Sequence, residues 1–164
     1  MSVVKYVDLV SKGVSKVSAA VAVILTAGFL LSLLAQVFFR YALNDPLSWS
    51  EEIAMFLFVW AVLLLSSVGV REGFHIRLSF FIDSLPSDRW RSAMEGMIEL
   101  TIAGFGIFVV EAGLRLVDLT WDNTSAATGY PVQYLYSVAP VCGALIVLHA
   151  VARLLNRLAG RETT

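Results

Sequence analysis

Four stretches of this chain are long and apolar enough to cross a lipid bilayer, and nothing else in it limits the possible folds so strongly. Crossing about 30 Å of hydrocarbon takes about 20 helical residues at 1.5 Å each. Residues 17–39 and 53–70 supply two such runs without a single charge. Residues 93–116, interrupted by glutamates, and residues 131–152, with Pro140 at their centre, supply two more. A backbone in lipid has to satisfy its own hydrogen bonds, so such runs are helices. Composition agrees: 58% of the 164 residues are hydrophobic, against about 45–50% in soluble domains. The expected fold is therefore an all-α integral membrane protein, with residues 1–164 as a single membrane domain. The first run exceeds a secretory h-region and ends in bulky Val37-Phe38-Phe39-Arg40, not in small residues, so it reads as a retained span.

Basic residues set the orientation. Lys5, Lys12 and Lys16 precede the first span; Arg71, Arg77, Arg89 and Arg91 flank the second connection; Arg153, Arg157 and Arg161 follow the fourth span. Only Arg40 and Arg115 lie on the opposite side. Ten against two predicts both termini and the second loop in the cytoplasm, and the first and third loops outside. Two segments carry helical apolar spacing beside charge: Val3, Val7, Val10 and Val14 in residues 3–16, and Leu78, Phe81, Ile82 and Leu85 in residues 76–85. Both fit interfacial helices on lipid, or helices docked on another subunit.

Ionisable groups cluster in the stretch FFRYALNDPLSWSEEIAMFLFVW, residues 38–60. Asn44-Asp45-Pro46 predicts a turn. Ser48 with Glu51 three residues on predicts a capping box at the start of span two. Acids in a first helical turn gain about 0.3–1 kcal/mol from the helix dipole, and Trp49 suits the interfacial aromatic belt. Arg40 is placed to pair with Glu51 or Glu52 across the hairpin. Adjacent helical residues point about 100° apart, so the two glutamates are not an acid/base pair on their own. Capping, dipole, belt and a local ion pair account for every polar residue here. Contact with another subunit and a direct part in moving a substrate are the competing roles.

The same stretch resembles the small membrane subunit of TRAP transporters, the tripartite ATP-independent periplasmic transporters. The residues that carry the likeness are Phe39-Arg40-Tyr41, Pro46, Trp49-Ser50-Glu51-Glu52 and Phe58-Val59-Trp60, then Arg71 with His75-Ile76, and Gly129-Tyr130-Pro131 with Tyr134 and Pro140. They run in order over residues 38–143, with matching span count and length. Tyr130 departs from the family, where an aliphatic residue is common. The resemblance implies a multi-pass protein of the bacterial inner membrane that works with a large membrane subunit and a soluble periplasmic substrate-binding protein. The large subunit carries the substrate and cation sites. The small one is a scaffold in sodium-driven symport of a small organic acid, and needs no cofactor and no metal.

Span three holds the remaining polar residues. Glu99 and Glu111 lie twelve positions apart, about 18 Å of helix, too close for both to reach water at opposite membrane faces. Intramembrane carboxylates usually face protein. Glu99, Ala103, Gly106, Val110 and Gly113 share one face, small enough for close helix contact. Glu111 can pair with Arg115 and Glu95 with Arg91, each one turn apart. Packing against neighbouring helices, contact with a partner subunit, and proton or ion handling are the three roles open to this span. Pro140 can break span four or only kink it.

His75 and His149 raise a haem-bearing respiratory anchor as one rival function. A stand-alone proton- or cation-coupled exporter using Glu99 or Glu111 is the other. Cys142, the only cysteine, lies in an apolar run and reads as a packing residue. No phosphate loop, metal-ligand cluster or nucleophile triad occurs, and a net charge of −1 gives no basic surface for nucleic acid.

Overall fold

A computed structural model describes residues 2–45, 47–73 and 88–159. They form helices α1 (Ser2–Ala42), α2 (Ser48–Glu72), α3 (Asp88–Leu119), the short α4 (Gln133–Tyr136) and α5 (Val138–Leu158). Four of these elements, α1, α2, α3 and α4 continuing into α5, are long and apolar enough to cross a membrane. The expected interfacial helix over residues 76–85, together with Pro46 and His75, lies outside the described residues.

Residues 3–16 are not a separate helix. They continue unbroken into the first span as the opening turns of one 41-residue helix. Its buried positions there are Ser11, Ser15, Ser18 and Ala22, a stripe of small residues at helical spacing. The valines at 7, 10 and 14 flank that stripe and are half-buried.

Pro140 does not interrupt the middle of span four. α5 begins at Val138, so Pro140 stands in its first turn, where a missing N–H leaves no gap in the helix interior. The carbonyl of Tyr136, one turn earlier, has no amide from Pro140 to meet, and α4 ends there.

α1 lies along α2, α2 along α5, and α5 along α3, and α1 also reaches α5; among the described residues α3 runs alongside neither α1 nor α2, so the spans form more of a row than a closed bundle. Antiparallel succession brings the start of α1, the end of α2, the start of α3 and the end of α5 to one end of the molecule, called here the terminal end. Residues 43–47 and 120–132 lie at the other, the loop end. The tightest seam joins α3 to α5. A Cβ built on Gly106 would lie 2.8 Å from the Val147 side chain, and one on Gly113 2.5 Å from the Pro140 ring. Gly143 on α5 faces the Gly106 carbonyl in the same way. Where α2, α3 and α5 meet, Val70, Cys142 and Ile146 make a small core with Leu63 and Ile102 beside it, and the Cys142 thiol donates to the Leu63 carbonyl at 3.0 Å.

Candidate functional site

Polar side chains gather at both ends of the row. At the loop end, Glu51 accepts from Gln36 Nε2 at 2.5 Å and from Arg40 Nη2 at 3.3 Å, tying the end of α1 to the start of α2. Of the two glutamates that could meet Arg40, it is Glu51 that does. The expected capping box is absent. Leu47 takes the N-cap position without a side-chain bond, and Ser48 already lies inside the helix. The carboxylate that would have closed the box is held by Gln36 and Arg40. Ser50 turns back to the Leu47 carbonyl at 2.7 Å. Trp49 is exposed at this end.

Glu52, about 100° further round α2, points to the third connection. It accepts from the Ser125 hydroxyl, from Thr128 Oγ1 at 2.8 Å, and from the amides of Ala127 at 3.0 Å and Thr128 at 3.1 Å. The loop that surrounds it is closed by a bridge between Thr124 and Pro131 and turns at Gly129, whose φ is +71°, a conformation that suits glycine. Tyr130 packs edge-on to Phe56 of α2, with ring centres 5.7 Å apart. Burial, with the Glu52 carboxylate nearby, pushes the Tyr130 phenol above its ordinary value. Trp60 completes the joint by donating to the Tyr134 carbonyl at 3.1 Å.

The terminal end carries the larger network. Arg71 donates to the Ser11 hydroxyl and to Asp8 Oδ1 at 3.0 Å. Asp8 also receives Asn156 Nδ2 at 2.9 Å and pairs with Lys12 at 3.3 Å. Ser11 lies 2.8 Å from His149 Nδ1. Arginine can only donate, so the Ser11 oxygen accepts from Arg71, and the same hydroxyl shares a hydrogen bond with His149 Nδ1. α2 ends just beyond Arg71 at Gly73, in the left-handed conformation. On the other flank, Glu99 Oε1 lies 3.6 Å from Arg153 Nε, Arg153 Nη1 donates to the Val70 carbonyl at 2.9 Å, and Arg157 pairs with Glu95. Glu95 thus meets α5 across the seam. Glu111 and Arg115 form the expected pair one turn apart, at 2.5 Å on an exposed face.

The candidate residues therefore separate into groups. Arg40 and Glu51 meet at one end; Glu52 and Pro131 belong to the loop joint; Arg71 belongs to the terminal network; Glu99, Gly106, Gly113 and Pro140 lie on the α3–α5 seam. His149 is fully buried and bonded to Ser11. The described residues hold no group of three or more His, Cys, Asp or Glu fit for a metal. Sequence reasoning missed Asp8, Ser11, Asn156 and the Ser125–Thr128 cradle. The serine spacing on α1 was the available signal for Ser11; the cradle left none, because its partner is more than 70 residues away.

Four long apolar helices with their charges gathered at two ends define a multi-pass integral membrane protein. Residues 29–160 match the family described as tripartite ATP-independent periplasmic transporters, DctQ component, and the chain belongs to that family. Its members are transporter components, not enzymes, and the chain is accordingly a multi-pass inner-membrane protein of bacteria. It is 24% identical over 148 residues to the sialic acid TRAP transporter small permease protein SiaQ of Vibrio cholerae, covering 90% of this chain and 85% of that protein. It is 26% identical over 131 residues to the sialic acid TRAP transporter permease protein SiaT of Haemophilus influenzae, covering 79% of this chain but 21% of that one. A third relative is the isethionate TRAP transporter permease protein DctMQ of Oleidesulfovibrio alaskensis, 30% identical over 115 residues, 69% of this chain and 17% of that protein. The chain thus spans most of SiaQ but only about a fifth of the two longer permease proteins.

Proposed function

We propose that this chain is the scaffold subunit of a TRAP-type secondary transporter. It holds a large membrane subunit in place while that subunit performs cation-driven, sodium-coupled uptake of a small organic acid delivered by a soluble periplasmic binding protein. One observation carries the scaffold role. The charged side chains of the described helices pair largely with one another at the two ends, while the surfaces between the ends are apolar and exposed along α1, α2 and α3. Such a body is rigid and offers faces to other membrane components. The lengths of SiaT and DctMQ support a large partner, since in each the matching segment is a minor part of one permease chain. Sialic acid and isethionate, in the names of those relatives, are both organic acids and support that substrate class. The basic-residue count supports placing the terminal end in the cytoplasm.

The test is a mild-detergent pull-down of the C-terminally tagged chain from its native membranes. A stoichiometric large multi-span protein is the expected companion. A chain that comes out alone, folded and monodisperse, would remove the scaffold role and make Glu99 and Glu111 the next residues to change.

A further inference from the structure

The outer face of α1 changes character at one level. Lys5, Lys12 and Lys16 are exposed and, at about 100° per residue, lie within about 40° of one another round the helix. Val23, Leu30 and Leu34 continue the same stripe and are exposed as well, and no charge occurs between Lys16 and Arg40. The opposite side carries Ser11, Ser15, Ser18 and Ala22, all buried against the rest of the molecule. We propose that the lysine stripe binds the anionic phosphate headgroups of phospholipids in the cytoplasmic leaflet, with the apolar continuation of the stripe lying along their tails. This goes beyond the subunit role and rests only on the orientation proposed above.

Depth and charge both favour a lipid as the occupant. Residues 17–39 make about 33 Å of helix, enough to fill about 30 Å of hydrocarbon, and the headgroups add about 5–7 Å on each side. Lys16 therefore stands at the edge of the hydrocarbon, and Lys12, about 6 Å further out, at the depth of the phosphates. Lys5 is about 16 Å out, beyond the headgroups but within about one Debye length of them. The charge of the stripe is not neutralised within the molecule. Asp8 is the only acid on α1. Its Oδ2 pairs with Lys12 at 3.3 Å, while its Oδ1 already accepts from Arg71 and Asn156, so Lys12 can turn to a phosphate without leaving Asp8 bare. Lys5 and Lys16 meet no acid among the described residues. An acidic protein segment would answer the lysines but not the apolar run in line with them. A phospholipid presents negative charge and then hydrocarbon in that order along the helix, and lysine stems lie on apolar surface while their ammonium groups reach the phosphates.

Two measurements test this. The full chain, purified in mild detergent, is offered equal amounts of phosphatidylglycerol and phosphatidylcholine, and the retained lipids are counted by native mass spectrometry. Phosphatidylglycerol should be retained in preference. Lys12→Gln and Lys16→Gln should each lower that preference by about fivefold, Lys5→Gln by about twofold or less, and Lys12→Arg, which keeps the charge, should leave it as in wild type. Lys16→Gln in phosphatidylcholine alone should unfold at the wild-type temperature, which separates headgroup binding from loss of fold. Equal retention of the two lipids by wild type, or an unchanged preference in both the Lys12→Gln and Lys16→Gln variants, would overturn the proposal. In native membranes, a photocrosslinking amino acid replaces Gly13, an exposed position between Lys12 and Lys16 where a Cβ meets nothing within 4 Å. Lipid adducts are expected there. Adducts to protein in their place would overturn the lipid site, mark the stripe as a protein contact and leave the subunit role standing.

Discussion

Glu51 and Glu52 are chemically identical neighbours with unrelated partners. Helical geometry aims one back along the hairpin at Arg40 and the other across at residues 125–128. The first partnership is legible in the sequence because its members are eleven residues apart in one turn-linked unit. The second is not, because nothing local marks which loop will close over the carboxylate. Glu52→Gln keeps the size of the side chain but replaces an acceptor-only group by one with two donors. It cannot accept from two hydroxyls and two amides as the carboxylate does. Hydrogen exchange at the Ala127 and Thr128 amides should rise by about tenfold or more, with exchange across the α3–α5 seam unchanged; protection equal to wild type would show that the loop holds itself. The seam allows an equally sharp test with glycines. Gly113→Ala drives a methyl into the Pro140 ring, whereas a Cβ at Gly104 meets nothing within 4 Å. Overpacking of this kind costs about 1–3 kcal/mol. Thermal unfolding in detergent should therefore show Gly113→Ala clearly destabilised and Gly104→Ala within error of wild type.

At the scale of the elements, the long apolar runs announced four spans, and their number and order agree with the helices observed. What periodicity misjudged is the inward face of the start of α1. Valines at 3, 7, 10 and 14 outweigh serines on any hydropathy scale, yet it is Ser11, Ser15 and Ser18 that are buried. Close approach of helices favours small side chains, and a serine that finds a partner is easily buried. Ser11 has two: it accepts from Arg71 and shares a hydrogen bond with His149. Removing its hydroxyl leaves the buried His149 Nδ1 without that partner and Arg71 with Asp8 alone, at a cost of about 1–3 kcal/mol. The loss falls on the docking of the first turns of α1 onto α2 and α5. Trypsin cleavage after Lys12 and Lys16 should accordingly accelerate in Ser11→Ala. Thr26→Val, which removes a hydroxyl bonded only to the Ala22 carbonyl of its own helix, should leave the rate unchanged. Equal cleavage in all three proteins would mean that apolar packing alone docks this segment.

For the whole molecule, hydropathy gives the number of spans but says nothing of which helices are neighbours. The row α1, α2, α5, α3 follows from three local facts: the hairpin ties α1 to α2, the glycine seam ties α3 to α5, and the Cys142–Leu63 contact with the terminal network ties α2 to α5. Only the small face of span three was legible beforehand; its partner on α5 was not, because a small-residue face does not name the surface it meets. The direction in which this row sits in the membrane comes instead from charge. Of the ten basic residues in the described segments, eight lie toward the terminal end, and translocation of short loops disfavours the flanks that carry them. The loop end keeps Arg40 and Arg115, both paired with glutamates, which blunts their pull further. Single cysteines in a Cys142→Ala background read the outcome directly. With a membrane-impermeant maleimide, exposed Ala126→Cys should label in spheroplasts and be protected in inverted vesicles, and exposed Lys16→Cys should do the reverse. Labelling of both sites from one side would contradict the four crossings. The opposite pattern would keep the fold but place the Glu52 joint in the cytoplasm, where no periplasmic partner could reach it.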